Sequence, residues 1–341
     1  MSRLLELAEC GLLPDAALRL GMRRLLRRRL RRETAHPRPV EELVRHLGDS
    51  PVALVPELAN RQHYEVPADF FRLVLGPWLK YSCCLWEEGV STLAEAEEAM
   101  LALTASRAQL EDGQEVLDLG CGWGAFTLWA ARRFPRSRFL AVSNSSSQRE
   151  FITARAAELG LANVRVLTAD VNGFVPAAGS FDRVVSIEMF EHVRNYPLLL
   201  RRIAAALRPG GRLFVHIFCH RTLAYPFEEE DSSDWMARHF FSGGLMPSLD
   251  LLTHFQEDVR LDQRWVVDGR HYARTLEAWL EQLDAHRPAV RAALAPCYGT
   301  ADLDRWVQRW RMFFMACAEC FGYGNGGQWQ VGHYRFSPRA G

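Results

Sequence analysis

From residue 115 to residue 220 the sequence alternates short apolar runs with stretches of helical periodicity, and this alternation constrains the fold more than any other feature. The runs EVLDLG (115–120), RFLAVS (138–143), VRVLTAD (164–170), FDRVVSIE (181–188) and GRLFVHIF (211–218) are rich in branched residues and read as buried strands. Between them AFTLWAARRF, SQREFITARAAELG and PLLLRRIAAALRPG carry helix periodicity, two of them closed by glycine. Strand and helix in strict succession predict the α/β class, a doubly wound parallel sheet with helices on both faces. Residues 220–263 interrupt the alternation with charged and aromatic residues and read as an inserted cap. The strand run RWVVDG, helices around 273–285 and 302–321, and a strand in GQWQVGHYRF complete the chain.

The first 110 residues read as a helical segment that covers the site of the 111–341 domain. Leu18, Met22, Leu25, Leu26 and Leu30 recur at helix spacing within ALRLGMRRLLRRRLRR, which makes a basic amphipathic helix. Such a helix can lie on a membrane or an anionic ligand, but the chain as a whole balances 41 Lys+Arg with 41 Asp+Glu. That balance favours a solvated arginine face on a docked helix and argues against a surface built for nucleic acid. HPRPV (36–40) reads as a loop. The aromatic stretch 61–92, broken by Pro67, Gly76 and Pro77, is too apolar for a linker and reads as packing over something. No apolar run reaches the roughly 18–20 residues of a membrane span. Arg3, Glu6, Glu9, Asp15 and Arg19 interrupt any secretory signal, and eight cysteines in 341 residues are too sparse for a disulfide scaffold. A cytoplasmic protein with reduced thiols is expected. Cys83-Cys84 and the Cys317/Cys320 pair lack paired zinc spacing, so no metal is expected. The N-terminal helices leave a homodimer open.

Asp118-Leu-Gly120-Cys-Gly122-Trp-Gly124 follows the first strand and opens a helix. Gly120 and Gly122 permit a tight turn and close approach of a ligand to the N–H groups at the helix start. This string alone also fits a dinucleotide loop. A nicotinamide fold, however, would want a carboxylate at the end of the second strand, and here that strand ends Ser143-Asn144-Ser145-Ser146-Ser147-Gln148. Asn144 and Gln148 could grip a ribose through neutral hydrogen bonds, and Asp170 after the third strand could accept from an adenine amino group. Together these favour S-adenosylmethionine over NAD. At the end of the fourth strand stand Glu188, Glu191 and His192, spaced i, i+3, i+4, which would share one face if the segment turned helically. Two carboxylates beside a histidine can attract an ammonium and take its proton, freeing the lone pair that attacks a sulfonium methyl. The plainer reading is an acidic helix start. His216, alone on an apolar strand, reads as a satisfied core residue.

With these residues in view the chain resembles the cyclopropane-fatty-acid-synthase superfamily of S-adenosylmethionine-dependent methyltransferases, and within it the coclaurine N-methyltransferase branch. YEVPADFFRLVLGPWLKYSCCLW, VLDLGCGWG, SNSSSQ, SIEMFEHVRNY, LFVHIFCHRTLAYPFE and WRMFFMACAECFGYGNG carry the resemblance over most of the chain. It implies a Rossmann-like class I methyltransferase sheet that binds S-adenosylmethionine and releases S-adenosylhomocysteine. It further implies cofactor contacts from Tyr81, Ser82, Gly120, Gly122, Asn144, Gln148, Asp170 and Val171, with Glu188, Glu191 and His192 lining an amine site. Lipid-cyclising members carry glycine at the position of Glu188 and hold bicarbonate with residues matching Cys83, Glu191, His216, Phe218 and Tyr272, where Phe218 replaces a common isoleucine. Both departures favour N-methylation of a small aromatic or alkaloid-like amine. The rivals are a lipid cyclopropane synthase or lipid methyltransferase, and a cofactor-binding partner protein without catalysis. A nucleic-acid methyltransferase would want a Pro-Pro-aromatic loop where IEMF stands.

Overall fold

A computed structural model describes residues 3–36, 39–54, 66–227, 235–241 and 243–339. Its centre is a seven-stranded sheet in the order β3-β2-β1-β4-β5-β9-β8. The strands are β1 (Glu115–Leu119), β2 (Arg138–Ser143), β3 (Val164–Thr168), β4 (Phe181–Ile187), β5 (Leu207–His220), β8 (Val259–Val267) and β9 (Trp329–Pro338). β1 to β5 pair in parallel, and β9 enters antiparallel between β5 and β8. Val116, Leu117, Phe139, Val184 and Val185 are buried, as strands covered on both faces require. The strand order reverses between β1 and β4, which makes their carboxyl edge the place where a doubly wound fold takes a ligand.

Among the described residues five helices precede the sheet: α1 (Arg3–Glu9), α2 (Asp15–Ala35), α3 (Val40–Gly48), α4 (Ala68–Val74) and α5 (Leu93–Arg107). α5 begins with a capping box, in which Thr92 accepts from the Glu95 N–H and Glu95 accepts from the Thr92 N–H. Within the alternating region α6 (Ala125–Arg133), α7 (Ser146–Glu158) and α8 (Tyr196–Ala206) follow β1, β2 and β4. After β8 come α10 (Gly269–Ala285), α11 (Arg287–Tyr298) and α12 (Leu303–Gly322). The sequence periodicity marks the first and last of these. α11 lies between them, where Pro288 and Pro296 interrupt the pattern; the first is tolerated because it stands in the opening turn. Helices from both ends of the chain share one apolar cluster, with Phe70 and Phe71 of α4 against Trp279 of α10 and Trp310 and Phe314 of α12.

The expected cap contains a two-stranded ribbon, β6 (Tyr225–Pro226) with β7 (Leu245–Met246), and the short helix α9 (Trp235–His239). It ends earlier than 263, because β8 starts at Val259 and joins the main sheet. Residues 228–234 and 242 of the cap, 61–65 of the aromatic stretch and 37–38 of the expected loop lie outside the described residues. Among the described residues no helix is long and apolar enough to cross a membrane.

Candidate active site

β4 stops at Ile187, and Glu188 takes a left-handed backbone, φ +46°, a region that favours glycine. Its N–H still bonds to the His216 carbonyl at 2.8 Å, so the turn hangs from the edge of β5. One 3₁₀ turn, Phe190–His192, follows. The i, i+3, i+4 spacing of Glu188, Glu191 and His192 therefore does not act through a helix face. A left-handed residue and a tight turn deliver all three side chains to one cavity of about 380 Å³.

Glu188 is gripped from several sides. Its Oε2 accepts from the Tyr272 hydroxyl of α10 at 2.6 Å, and Oε1 lies 3.5 Å from the Cys83 N–H and 3.3 Å from His216 Nε2. Burial pushes its carboxyl up to about 7, against the lowering pull of Tyr272, Lys80 and the Cys83 N–H. Glu191 is raised as well, first by burial and then by the charge of Glu188, and its Oε2 has no hydrogen-bond partner among the described residues. The His192 ring packs 5.0 Å from Phe241. The remaining wall is mostly aromatic, with Tyr81, Phe218, Phe227, Trp235, Tyr272, Trp279, Phe313 and Phe321. Met22, Leu26 and three arginines of α2, Arg28, Arg29 and Arg32, also border the cavity.

The residues expected to hold a cofactor lie beside this cavity. Gly120 (φ +85°) and Gly122 (φ +54°) form the loop after β1. A Cβ on Gly120 would come within 2.6 Å of the Met189 side chain, so the glycine loop adjoins the Glu188 turn directly. A Cβ on Gly122 would meet open space instead, the cradle expected of a loop that lets a ligand approach its backbone. Gln148 is buried; its Oε1 accepts from Ser143 at 2.5 Å while its Nε2 donor has no partner among the described residues. Asn144 ends β2. Asp170, exposed after β3, accepts from the Asn172 N–H at 2.9 Å, and the Val171 carbonyl accepts from Arg202 at 3.0 Å. A glycine cradle, an orphaned amide donor and a carboxylate along one sheet edge fit a nucleoside-bearing cofactor such as S-adenosylmethionine. Tyr81 and Ser82 arrive from the segment before α5: Tyr81 lines the cavity, and Ser82 Oγ accepts from the buried Lys80 ammonium.

That segment is shaped by a carboxylate the sequence did not single out. Glu97 of α5 is buried and accepts the backbone N–H groups of Gly76, Trp78 and Lys80 at 3.1, 2.8 and 3.0 Å. A Cβ on Gly76 would sit 2.5 Å from the Glu97 carboxyl carbon, so glycine is required there. His216, expected to be a satisfied core residue, is fully buried yet faces Glu188, with His333 behind it at 2.8 Å. The two histidines are 117 positions apart, so no spacing in the sequence signals their meeting.

Residues 56–331 match the family described as mycolic acid cyclopropane synthetase. The chain is 39% identical to (S)-coclaurine N-methyltransferase of Thalictrum flavum subsp. glaucum, covering 98% of this chain and 95% of that protein. It is 36% identical to (S)-coclaurine N-methyltransferase of Papaver somniferum, covering 98% of each. A crystal structure of coclaurine N-methyltransferase bound to N-methylheliamine and S-adenosylhomocysteine superposes with a TM-score of 0.92 at 37% identity, covering 98% of both chains.

Proposed function

The chain belongs to the mycolic acid cyclopropane synthetase family, and from that premise we propose that it is an S-adenosylmethionine-dependent N-methyltransferase acting on a small aromatic, alkaloid-like amine. The observation that carries the reading is Glu188, a buried carboxylate lining an aromatic cavity, held by Tyr272 and joined there by Glu191 and His192. When bound, S-adenosylmethionine supplies an electrophilic methyl group and leaves as S-adenosylhomocysteine. The residues Gly120, Gly122, Asn144, Gln148, Asp170 and Val171 would hold it along the sheet edge, with Tyr81 and Ser82 closing from the α5 side.

The protein's own part is to desolvate, orient and deprotonate the amine. An alkylammonium attracted by the Glu188 carboxylate loses its proton to it, and the elevated Glu188 carboxyl is a competent base near neutral pH. The aromatic wall excludes water and can hold the amine's rings, and its cation before deprotonation, by stacking and cation–π contact. Lipid cyclisation on a bicarbonate base is the weaker alternative: Glu188 would repel that anion, and the Phe218 ring borders the same cavity.

Purified protein incubated with labelled S-adenosylmethionine and a mixed amine library should yield an N-methylated product identifiable by mass. Glu188→Gln and His192→Ala should each lower kcat by about 10²–10⁴-fold while leaving S-adenosylhomocysteine affinity intact. Unchanged turnover in both variants would remove the roles assigned here.

A further inference from the structure

Three side chains form a row behind Glu188. Arg107, at the end of α5, places Nη1 2.7 Å from His333 Nδ1. His333 Nε2 lies 2.8 Å from His216 Nδ1, and His216 Nε2 lies 3.3 Å from Glu188 Oε1. The two histidines are direct register partners across antiparallel β5 and β9, and both are fully buried. Arg107 is half-buried and its guanidinium lies over the Trp265 ring at 5.0 Å.

The direction of every proton in this row follows from its first member. A guanidinium only donates, so His333 Nδ1 accepts and a neutral His333 must carry its hydrogen on Nε2. That hydrogen points at His216 Nδ1, which in turn forces the His216 hydrogen onto Nε2, the atom facing Glu188. Both rings are neutral, held well below the usual imidazole range: His216 by burial and then the positive charges of Lys80 and Arg107, His333 by burial, then the His216 ring, Arg107 and Lys80.

We propose that Arg107 and His333 are positioning residues for the methylation assigned above, fixing the tautomer of His216 so that an N–H and not a lone pair faces the carboxylate of Glu188. The His216 N–H is not aligned for a full hydrogen bond, so it acts on Glu188 through its dipole. With Tyr272 donating to Oε2, the carboxylate is met by donors on its protein side, and its free lone pairs are left for the ammonium in the cavity. In the opposite tautomer two lone pairs would oppose each other at 3.3 Å. Only a protonated Glu188 relieves that clash, and a protonated Glu188 cannot take the amine's proton. The other charged or titratable groups that bear on Glu188 are Lys80, Cys83, Cys84, Glu191, Tyr272 and Cys317, and none of them changes in the variants below.

The proposal rests on the N-methyltransferase reading, and two measurements on the full chain separate their failures. The first is steady-state kinetics across pH with the amine found in the library. His333→Phe cuts the row and should lower kcat about tenfold or more, move the acid limb of kcat/KM upward, and leave the KM for S-adenosylmethionine unchanged. His333→Gln can accept from Arg107 through its carbonyl oxygen and donate to His216 through its amide, so it should restore most of kcat and the wild-type acid limb. A folded His333→Phe with wild-type kcat and pH profile overturns the proposal. The second is ¹⁵N-histidine NMR of the wild-type protein near pH 7.5, which should find both rings as the Nε2–H tautomer; an Nδ1–H signal from His216 overturns the proposal, even should His333→Phe fail to fold. Were no amine methylated at all, the assigned function would fall, while the tautomer spectrum would still decide the fate of the row.

Discussion

Glu188 occupies a backbone conformation that an L-residue adopts at a cost of about 1–2 kcal/mol. Its carboxyl carries a second cost: a rise from 4.5 to about 7, at about 1.4 kcal/mol per pH unit, is on the order of 3 kcal/mol when the group is ionised. Both are strains a glycine would not impose. Because the folded value lies above the unfolded one, the penalty is absent below about pH 4.5, grows as pH rises towards 7 and is constant above that. Thermal melts at a series of pH values should therefore show Glu188→Gln gaining on the wild type between about pH 4.5 and 7 and holding its lead above. Glu188→Gly should show the same pH dependence with an added, pH-independent gain from relief of the backbone. Parallel wild-type and Glu188→Gln curves would mean that Glu188 titrates as an ordinary surface carboxylate. Stability surrendered at one residue for a carboxylate poised near neutrality is the trade expected of the base proposed for Glu188.

At the scale of elements, legibility divides along local and non-local lines. The strands between residues 115 and 220 are written as short apolar runs and the helices in a period of 3.6 residues, and each was readable from its own segment. Spacing located Glu188, Glu191 and His192 but not their geometry, since a left-handed residue has no periodicity. The His216–His333 pair depends on strand register, and α11 hides behind Pro288 and Pro296. The basic helix α2 was readable as amphipathic, yet the partners of its arginines were not. Arg19 makes a bidentate pair with Glu277 of α10 at 2.5 and 2.7 Å and reaches Glu319 of α12 at 3.2 Å, while Arg23 also meets Glu319. Met22, Leu26 and Leu30 pack onto the cluster beneath. These pairs are partly exposed, so Glu319→Ala should cost only about 1 kcal/mol. Its kinetic effect should be one-sided, because α2 borders the amine cavity and not the glycine loop. The KM for the amine should rise several-fold while that for S-adenosylmethionine stays fixed. An equal rise in both would show that α2 does more than wall the acceptor.

Across the whole molecule, the two halves of the site are built by different means. The proposed cofactor edge comes mainly from loops close in sequence, after β1, β2 and β3. The proposed acceptor cavity is assembled from the N-terminal helices, the cap and the C-terminal helices, and one buried carboxylate joins all three. Glu9 of α1 accepts from Trp235 Nε1 of α9 at 2.8 Å and from Arg309 Nη2 of α12 at 2.9 Å, with His239 Nε2 at 3.7 Å. Trp235 and Leu5, on either side of this junction, line the cavity. Glu9→Ala would leave the Arg309 guanidinium buried without its carboxylate, a loss of roughly 3 kcal/mol. That loss falls on the docking of α1 and α9 and not on strands β1, β2 and β4, whose buried residues belong to separate clusters. The variant should thus keep S-adenosylhomocysteine affinity by calorimetry, show faster proteolytic cleavage in its first 35 residues, and methylate the amine with a KM raised about tenfold or more. Should cofactor and amine binding weaken together, the N-terminal helices and the sheet edge would have to be one cooperative unit, and the division of labour between local loops and a roof assembled from distant segments would be wrong.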